Sequence, residues 1–263
     1  SGTSRQFVRY LLETMLYICV PAFDEAPTIG LLLWRIRKVL EEHPREYELI
    51  VLDDGSTDAT AETLKPYTEL LPLTVLRNDQ SRGYASAIDM LARTAVKRTR
   101  YPRRDAMILL QGDFTDQPEH IPELVKRFEG GADVVIAEQP PSPRVPAAVR
   151  RLRLLAPWVV RPFLRVAGVT DPFGTFRLFR IAVLRDVIRE AGDSPITQWS
   201  GWAANVELLV KATKFARRVE TVTLDPRYDL RPRATRVRPL AAALDLYRFG
   251  WAHRGRRITS PST

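Results

Sequence analysis

The chain has a single cysteine and three histidines in 263 residues. No disulfide can form within it, which suits a reducing compartment. The few histidines are scattered, so the four nitrogen or sulfur ligands of a structural zinc site are not available. Cys19 sits in an apolar, strand-like run with no histidine near it in sequence. It reads as a core thiol rather than a nucleophile. No stretch approaches the roughly 18 uncharged apolar residues that a membrane-spanning helix needs. No charged-then-apolar leader follows Ser1, Gly2 and Thr3, so no secretory signal is expected. The chain also lacks a GxGxxG after its first strand-like run and lacks GxxxxGK[ST] altogether. The usual backbone cradles for dinucleotides and triphosphates are therefore missing. There is no internal repeat and no low-complexity tract.

The hydrophobic fraction of 45% is ample for one large core. The net charge of +9 is concentrated in two places. Residues 140–168 hold six arginines and no acid, and residues 225–257 hold nine arginines against Asp225, Asp229 and Asp245. The rest of the chain is net acidic. Such patches attract phosphates, anionic membrane surfaces or nucleic acid. Nucleic acid would leave the acidic residues described next without a role, and it is not expected as a partner.

The first half alternates strand-like and helix-like runs. Residues 16–23, 47–54, 73–77, 106–110 and 132–137 read as strands, and the intervening segments show helical periodicity. Thr28 is placed to cap the first helix, and Thr57 or Asp58 the second. This pattern predicts an α/β fold, a Rossmann-like, mainly parallel sheet with helices on both faces. In such sheets ligands bind beyond the carboxyl ends of the strands. Acids follow three of them: Asp24 and Glu25, Asp53 and Asp54, and Asp113 after Gln111 and Gly112. A rim of carboxylates can hold a hard divalent cation, which in turn holds a diphosphate, and it can accept hydrogen bonds from a base or ribose.

After residue 138 a proline-rich connector leads into "AAVRRLRLLAPWVVRPFLRVAG". Placed on a helix, Arg150, Arg151, Arg153, Arg161 and Arg165 fall within an arc of about 160°. Pro157 and Pro162 should divide it into two short amphipathic segments. These suit either a membrane interface or packing on the parent domain.

In order along the chain, "VPAFDEAPTIG", "VLDDGSTDAT", "RGYASAIDMLART", "QGDFTDQPEHIPELV", "DPFGTFRLFR" and "GWAANVELLVKA" resemble glycosyltransferase family 2, within it the dolichyl- or polyprenyl-phosphate mannose synthase group. The resemblance covers about residues 15–240. It implies a GT-A fold, a nucleotide-sugar donor (GDP or UDP), inversion at the anomeric carbon and a polyprenyl or dolichyl phosphate acceptor. It further implies that Pro21, Phe23 and Glu25 line the nucleotide pocket and that Val51 and Asp53 contact the base. Gln111, Gly112 and Asp113 stand in the metal motif, where Asp113 would hold Mg²⁺ or Mn²⁺ and serve catalysis. Thr175 stands near the acceptor phosphate, and Arg231 and Arg236 would close on the donor diphosphate. Arg150 and Arg151 are assigned to the acceptor phosphate from the arginine-rich stretch itself. Two positions depart from the family pattern. Gln111 replaces an acid, and Gln139 stands where an arginine usually follows the fifth strand. "TQWSGW" (197–202) is not the QxxRW motif of processive synthases. Its tryptophans read as packing residues or as the border of the acceptor site.

The expected organisation is an N-terminal extension (1–14), a catalytic domain (15–239) and a basic C-terminal helix and tail (240–263). The expected location is the cytoplasmic face of a membrane, peripherally bound. The alternatives are a family-2 transferase acting on a hydroxyl acceptor and a non-catalytic nucleotide-binding descendant.

Overall fold

The computed structural model describes residues 14–138, 147, 150–151, 168–224 and 239–252. Gln139, Arg231, Arg236 and nearly all of the arginine-rich segment 140–168 lie outside the described residues. The strands are β1 (Met15–Ala22), β2 (Glu46–Asp53), β3 (Leu73–Arg77), β4 (Ala106–Leu109), β5 (Val134–Glu138), β6 (Arg177–Arg180) and β7 (Val219–Thr223). The helices are α1 (Ile29–Glu42), α2 (Thr60–Leu70), α3 (Tyr84–Arg98), α4 (Ile121–Glu129), α5 (Ile181–Ala191), α6 (Gly201–Thr213) and α7 (Pro239–Ala252). A single 3₁₀ turn, Pro118–His120, leads into α4.

The seven strands form one sheet in the order β3-β2-β1-β4-β6-β5-β7. β1 runs parallel to both β2 and β4, and β5 parallel to β7. Only β6, among the described strands, is reversed, pairing antiparallel with β4 and β5. β1 shows why its sequence is apolar throughout. Leu16, Ile18 and Val20 face a core shared with α1 and α4, through Leu32, Leu33, Ile36, Leu124 and Phe128. Tyr17 and Cys19 face a second core with α3, α5 and α6, through Ile88, Leu91, Leu184 and Leu208. Side chains alternate along a strand, so a strand covered by helices on both faces must be apolar at every position. Each such buried side chain contributes about 1.5–3 kcal/mol. Cys19 is buried, as expected, and burial pushes its thiol pKa up.

The carboxyl ends of β1, β2 and β4 share one edge of the sheet. Because β6 is reversed, its first residue, Arg177, pairs with Leu109 and Ile136 near that same edge. The loop that enters β6 (residues 170–176) is thereby delivered to the rim.

Candidate active site

The tips of β1 and β2 are joined by a web of short polar contacts. Asp24 has a left-handed backbone (φ 51°), a conformation an aspartate tolerates better than most residues. Its backbone N–H donates to Ser56 Oγ (2.9 Å), and its Oδ1 accepts the Thr57 N–H (2.8 Å). The Glu25 N–H donates to Thr60 Oγ1 at 2.8 Å. Thr28 does not cap α1 with its side chain. Its hydroxyl instead reaches the Glu25 backbone carbonyl and carboxylate, each at 3.2 Å. Asp58 accepts the Thr60 N–H (2.9 Å) at the entry to α2, and also the Ala26 N–H (3.1 Å).

The two acids after β2 have different surroundings. Asp54 accepts four hydrogen bonds, from Asn78, Ser81 and the backbone N–H groups of Arg82 and Gly83. Burial works to raise its pKa, but the bonds from Arg82, Asn78, Ser81 and Gly83 outweigh burial and hold the carboxyl below the ordinary aspartate value. Asp54 therefore pins the 78–83 loop. At Gly55 (φ 73°) a Cβ would come within 2.6 Å of the Gln80 and Ser81 backbone, so the two loops touch where only glycine fits. Asp53 is wholly buried. Its Oδ1 accepts the Ser56 N–H at 2.9 Å, while Oδ2 has no hydrogen bond and stands 3.5 Å from Arg77 Nε. A buried carboxylate oxygen with an open acceptor site is costly unless something donates to it. Val51 lies two residues earlier with its side chain in the α1 core. Pro21 and Phe23 are half-buried beside the rim.

After β4 the chain turns sharply. Asp113 Oδ1 accepts the Thr115 N–H (3.0 Å), and Asp116 Oδ2 accepts the Gln111 N–H (3.0 Å), closing the loop on itself. Gln117 donates to the Phe114 carbonyl at 2.8 Å. Phe114 is held at φ 64°, an unusual conformation for a bulky residue, and it is buried beneath Arg35, whose guanidinium lies 5.5 Å from the ring. A Cβ at Gly112 would stand 3.4 Å from Glu25 Cγ and 3.5 Å from the Pro21 carbonyl oxygen. The tips of β1 and β4 are thus in contact, and the tip of β2 is laced to β1. Glu25, Asp53 and Asp113 belong to one continuous rim, as the sequence predicts.

Gln111 has a second task, which its sequence neighbours do not reveal. Its Nε2 donates to Thr175 Oγ1 at 2.8 Å. Asn205 Nδ2 donates both to Thr175 Oγ1 (3.2 Å) and to the Phe173 carbonyl (2.9 Å). The Tyr84 hydroxyl lies 2.9 Å from Thr175 Oγ1 and 2.9 Å from Asn205 Oδ1. Thr175 has one hydrogen and two lone pairs. It accepts from the two amides and donates to Tyr84, and Tyr84 donates to Asn205. Every hydrogen in this ring has one assignment, so the orientation of each amide is fixed. Burial, chiefly, raises the Tyr84 pKa and keeps the phenol protonated. Beneath the ring, Arg177 is 1% exposed and donates to the Asn205 and Pro172 carbonyls, while its Nε lacks a hydrogen bond. Burial lowers its pKa to about 10, against the pull of Tyr84, Asp171 and Asp116. It remains cationic at neutral pH.

The loop that enters β6 has its own anchors. Glu138, ending β5, accepts from the backbone of Thr170 and Asp171 and from the Thr170 hydroxyl (2.7 Å). Phe173 stacks on Trp202 at 5.6 Å. Glu207 holds the start of "TQWSGW" by accepting the Gln198 and Trp199 N–H groups (2.7 and 3.2 Å). Arg150 and Arg151 are helical, Arg150 half-buried and Arg151 exposed. Sequence reasoning passed over Tyr84, Asn205, Glu138 and Arg177. The signal for them was thin: buried polar residues in otherwise apolar helical or strand patterns. A separate surface cleft of about 470 Å³, lined by Arg100, Tyr101, Pro102, Arg103, Arg104 and Arg185, opens at the opposite end of β4.

Among the described residues, no three His, Cys, Asp or Glu side chains cluster closely enough to hold a metal alone. Asp113 fits a different arrangement, in which a hard cation takes one carboxylate from the protein and its remaining oxygens from a diphosphate and water.

Several known proteins resemble this chain. Undecaprenyl-phosphate 4-deoxy-4-formamido-L-arabinose transferase of Photorhabdus laumondii is 36% identical over 123 residues, 45% of this chain and 35% of that protein. Dolichol-phosphate mannosyltransferase of Pyrococcus furiosus is 23% identical over 210 residues, 77% of this chain and 54% of its own length. The chain thus spans only about a third to a half of these two relatives. Among solved structures, glucosyl-3-phosphoglycerate synthase of Mycobacterium tuberculosis with phosphoglyceric acid superposes with a TM-score of 0.66 at 19% identity, covering 95% of this chain and 84% of that one. The same enzyme with Mn²⁺, uridine-diphosphate-glucose and glycerol 3-phosphate gives a TM-score of 0.62 at 20% identity, covering 93% of this chain and 80% of that one. At these identities the likeness is one of fold, and that fold is GT-A. Residues 17–188, well over half of the sequence, match the model for glycosyl transferase family 2, and the chain belongs to that family.

Proposed function

We propose that the protein transfers a sugar from a nucleotide-diphosphate donor to a polyprenyl-phosphate acceptor, with inversion at the anomeric carbon. The observation that carries the donor half is the rim itself, which Glu25, Asp53 and Asp113 share, with Asp53 Oδ2 buried, 3.5 Å from Arg77 Nε and lacking a hydrogen-bond donor. A nucleobase N–H is such a donor. Pro21, Phe23, Glu25 and Gly112 would form the walls against which the nucleotide lies, and the Val51 backbone precedes the base contact. Asp113 would hold Mg²⁺ or Mn²⁺ together with the donor diphosphate. When bound, the cation would neutralise charge on the departing nucleotide. Arg231 and Arg236, outside the described residues, would add fixed positive charge there.

The acceptor half rests on chemistry and on kinship. A hydroxyl acceptor must lose a proton to a nearby carboxylate. On the acceptor side, Asp171 is occupied by the Phe173 N–H, Glu138 by the 170–171 backbone, and Glu207 by the 198–199 backbone and Lys211. A phosphate is already anionic near neutral pH and needs orientation by cations such as Arg150 and Arg151. Both curated relatives named above bear polyprenyl-phosphate names. Thr175 would act by shaping the loop beside the acceptor, since its hydroxyl is fully engaged. The catalytic unit would run over residues 15–239, at the cytoplasmic face of a membrane. No helix among the described residues is long and apolar enough to cross one.

The test is a donor-by-acceptor screen with and without Mg²⁺ and Mn²⁺, paired with calorimetry of nucleotide binding. Asp53→Asn should weaken nucleotide binding about tenfold, the equivalent of about 1.4 kcal/mol. Asp113→Asn should abolish metal-dependent turnover. Turnover with a hydroxyl acceptor and none with polyprenyl phosphate would overturn the acceptor assignment. Unchanged nucleotide affinity in Asp53→Asn would overturn the donor site.

A further inference from the structure

The cleft at the far end of β4 encloses about 470 Å³ and is lined by four arginines and no acid. Arg100, Arg103 and Arg104 come from the turn before β4, with Tyr101 and Pro102, and Arg185 comes from the second turn of α5. Arg104 is engaged within the wall. Its guanidinium lies 4.0 Å from the Tyr101 ring centroid, and its Nε lies 4.0 Å from Asp105 Oδ1. Arg100, Arg103 and Arg185 are exposed, and among the described residues no carboxylate pairs with any of them. The acids nearest to them in sequence serve other partners. Asp105 is 2% exposed and accepts the Met15 N–H at 3.3 Å, and Asp186 pairs with Arg189 at 2.9 Å.

The turn that carries three of these arginines is fixed through its backbone. The Tyr101 carbonyl accepts the N–H groups of Arg104 (2.8 Å) and Asp105 (2.9 Å), and the Tyr101 N–H donates to Thr99 Oγ1 (3.1 Å). The first two N–H groups of α5 bond to the same turn, Ile181 to the Asp105 carbonyl (3.0 Å) and Ala182 to the Pro102 carbonyl (2.7 Å). The Arg180 guanidinium donates to the Arg103 carbonyl. The turn and the start of α5 therefore form one piece, which holds Arg185 against Arg100 and Arg103. Because the first N–H groups of α5 are already satisfied, a ligand in the cleft would meet guanidiniums rather than a helix end.

Like charges gathered without a counter-charge repel one another, and an entering anion relieves that repulsion. The planar fork of a guanidinium matches the oxygens of a phosphate. The volume lies within the range of small-molecule sites, about 300–1,000 Å³. The cleft is also apart from the catalytic rim. The four residues of β4, at about 3.3 Å each, lie between the two. A phosphate held here would stand at the amino end of the strands, while the donor and acceptor meet at the carboxyl end. We propose that the arginine cleft is a second anion site, which takes a phosphate or diphosphate group outside the substrate pockets.

The experiment is calorimetry of inorganic pyrophosphate binding to the full chain, in EDTA so that no metal holds the anion at the rim. Arg103→Gln and Arg185→Gln should each weaken binding several-fold, and the double variant should weaken it at least tenfold. Arg189→Gln is the control. It removes the same charge one turn further along α5, from a side chain that pairs with Asp186 and does not line the cleft, and it should leave the affinity within about twofold. Arg103 and Arg185 are exposed, so circular dichroism should show the fold retained in every variant. Equal affinity in the wild type and the double variant would overturn the proposal, because the anion would then sit elsewhere. An equal loss in Arg189→Gln would overturn it too, as the mark of a general charge effect, and so would a wild type that binds no pyrophosphate. Vesicles of phosphatidylcholine with and without phosphatidic acid identify the source of the phosphate. Co-sedimentation with phosphatidic acid that the double variant loses would support the site as one for a lipid headgroup. Pyrophosphate binding without co-sedimentation would support it as one for a soluble phosphate.

Discussion

Replacing Gln111 by glutamate tests whether the amide that departs from the family's acidic motif is a lost metal ligand or a structural tie. The ring of Gln111, Thr175, Tyr84 and Asn205, with the Phe173 carbonyl, contains five hydrogen bonds, and five hydrogens serve them. A carboxylate at 111 removes one hydrogen. However Thr175 and Tyr84 rotate, one contact then places lone pair against lone pair. Thr175 and Asn205 are each 2% exposed, so water cannot readily replace the missing donor. Leaving one buried acceptor unsatisfied costs about 1–3 kcal/mol. At about 2 kcal/mol, and about 2–4 °C per kcal/mol for a domain of this size, the melting temperature should fall by about 4–8 °C. The sign with pH follows from linkage. The charged form of the new carboxyl is disfavoured in the folded state, so its folded pKa lies above the ordinary glutamate value of about 4.3. The deficit should be fully present at pH 7.5 and shrink as the pH falls toward that value, because a protonated carboxyl restores a donor. Thermal melts by circular dichroism at pH 7.5 and pH 5, with and without Mn²⁺, give the answer. If the variant melts where the wild type does, and Mn²⁺ stabilises it more than it stabilises the wild type, then Gln111 is a weakened metal ligand and the tie is refuted.

Two further perturbations probe the rim. Gly55→Ala places a Cβ within 2.6 Å of the Gln80 and Ser81 backbone at φ 73°, so chemical denaturation should show a loss of about 2 kcal/mol or more, and a loss below about 0.5 kcal/mol would contradict the loop contact. Asp54 has its folded pKa depressed, so its contribution is present above the unfolded value of about 3.9 and is lost as pH falls through the folded value. Asp54→Asn should therefore be less stable than wild type at pH 7, with the gap closing in an acid titration followed by tryptophan fluorescence. A gap that stays constant with pH would mean that Asp54 acts through shape alone.

The parts of the fold that the sequence reveals are those in which one rule governs a whole segment. β3 falls where periodicity places it, and β1, β2, β4 and β5 lie within one or two residues of their expected ends, because strands covered on both faces must be apolar and must stop at polar tips. β6 stayed hidden. It is four residues long, begins and ends with arginine, and enters α5 with no intervening turn, so no breaker marks it. Its reversal depends on pairing with β4 and β5, which no local pattern encodes. The rim was legible as a set of acids. The division of labour within it was not, since Asp53 and Asp54 are adjacent and identical in type, and only the 78–83 loop makes one of them an anchor. Gln111 looked like a defect because its partner, Thr175, lies 64 residues away.

The backward run of β6 has a consequence for how such a protein can change. A chain that leaves the sheet after β5 and re-enters it at Arg177 departs and returns at the same edge. The two ends of the intervening thirty-eight positions therefore lie together at that edge, and the last of them, Phe173, Thr175 and Phe176, are buried there. A graft of residues 139–176 from a family member with a different second substrate should therefore redirect which molecule receives the sugar, provided that Gln111 keeps a hydroxyl at position 175 to hold.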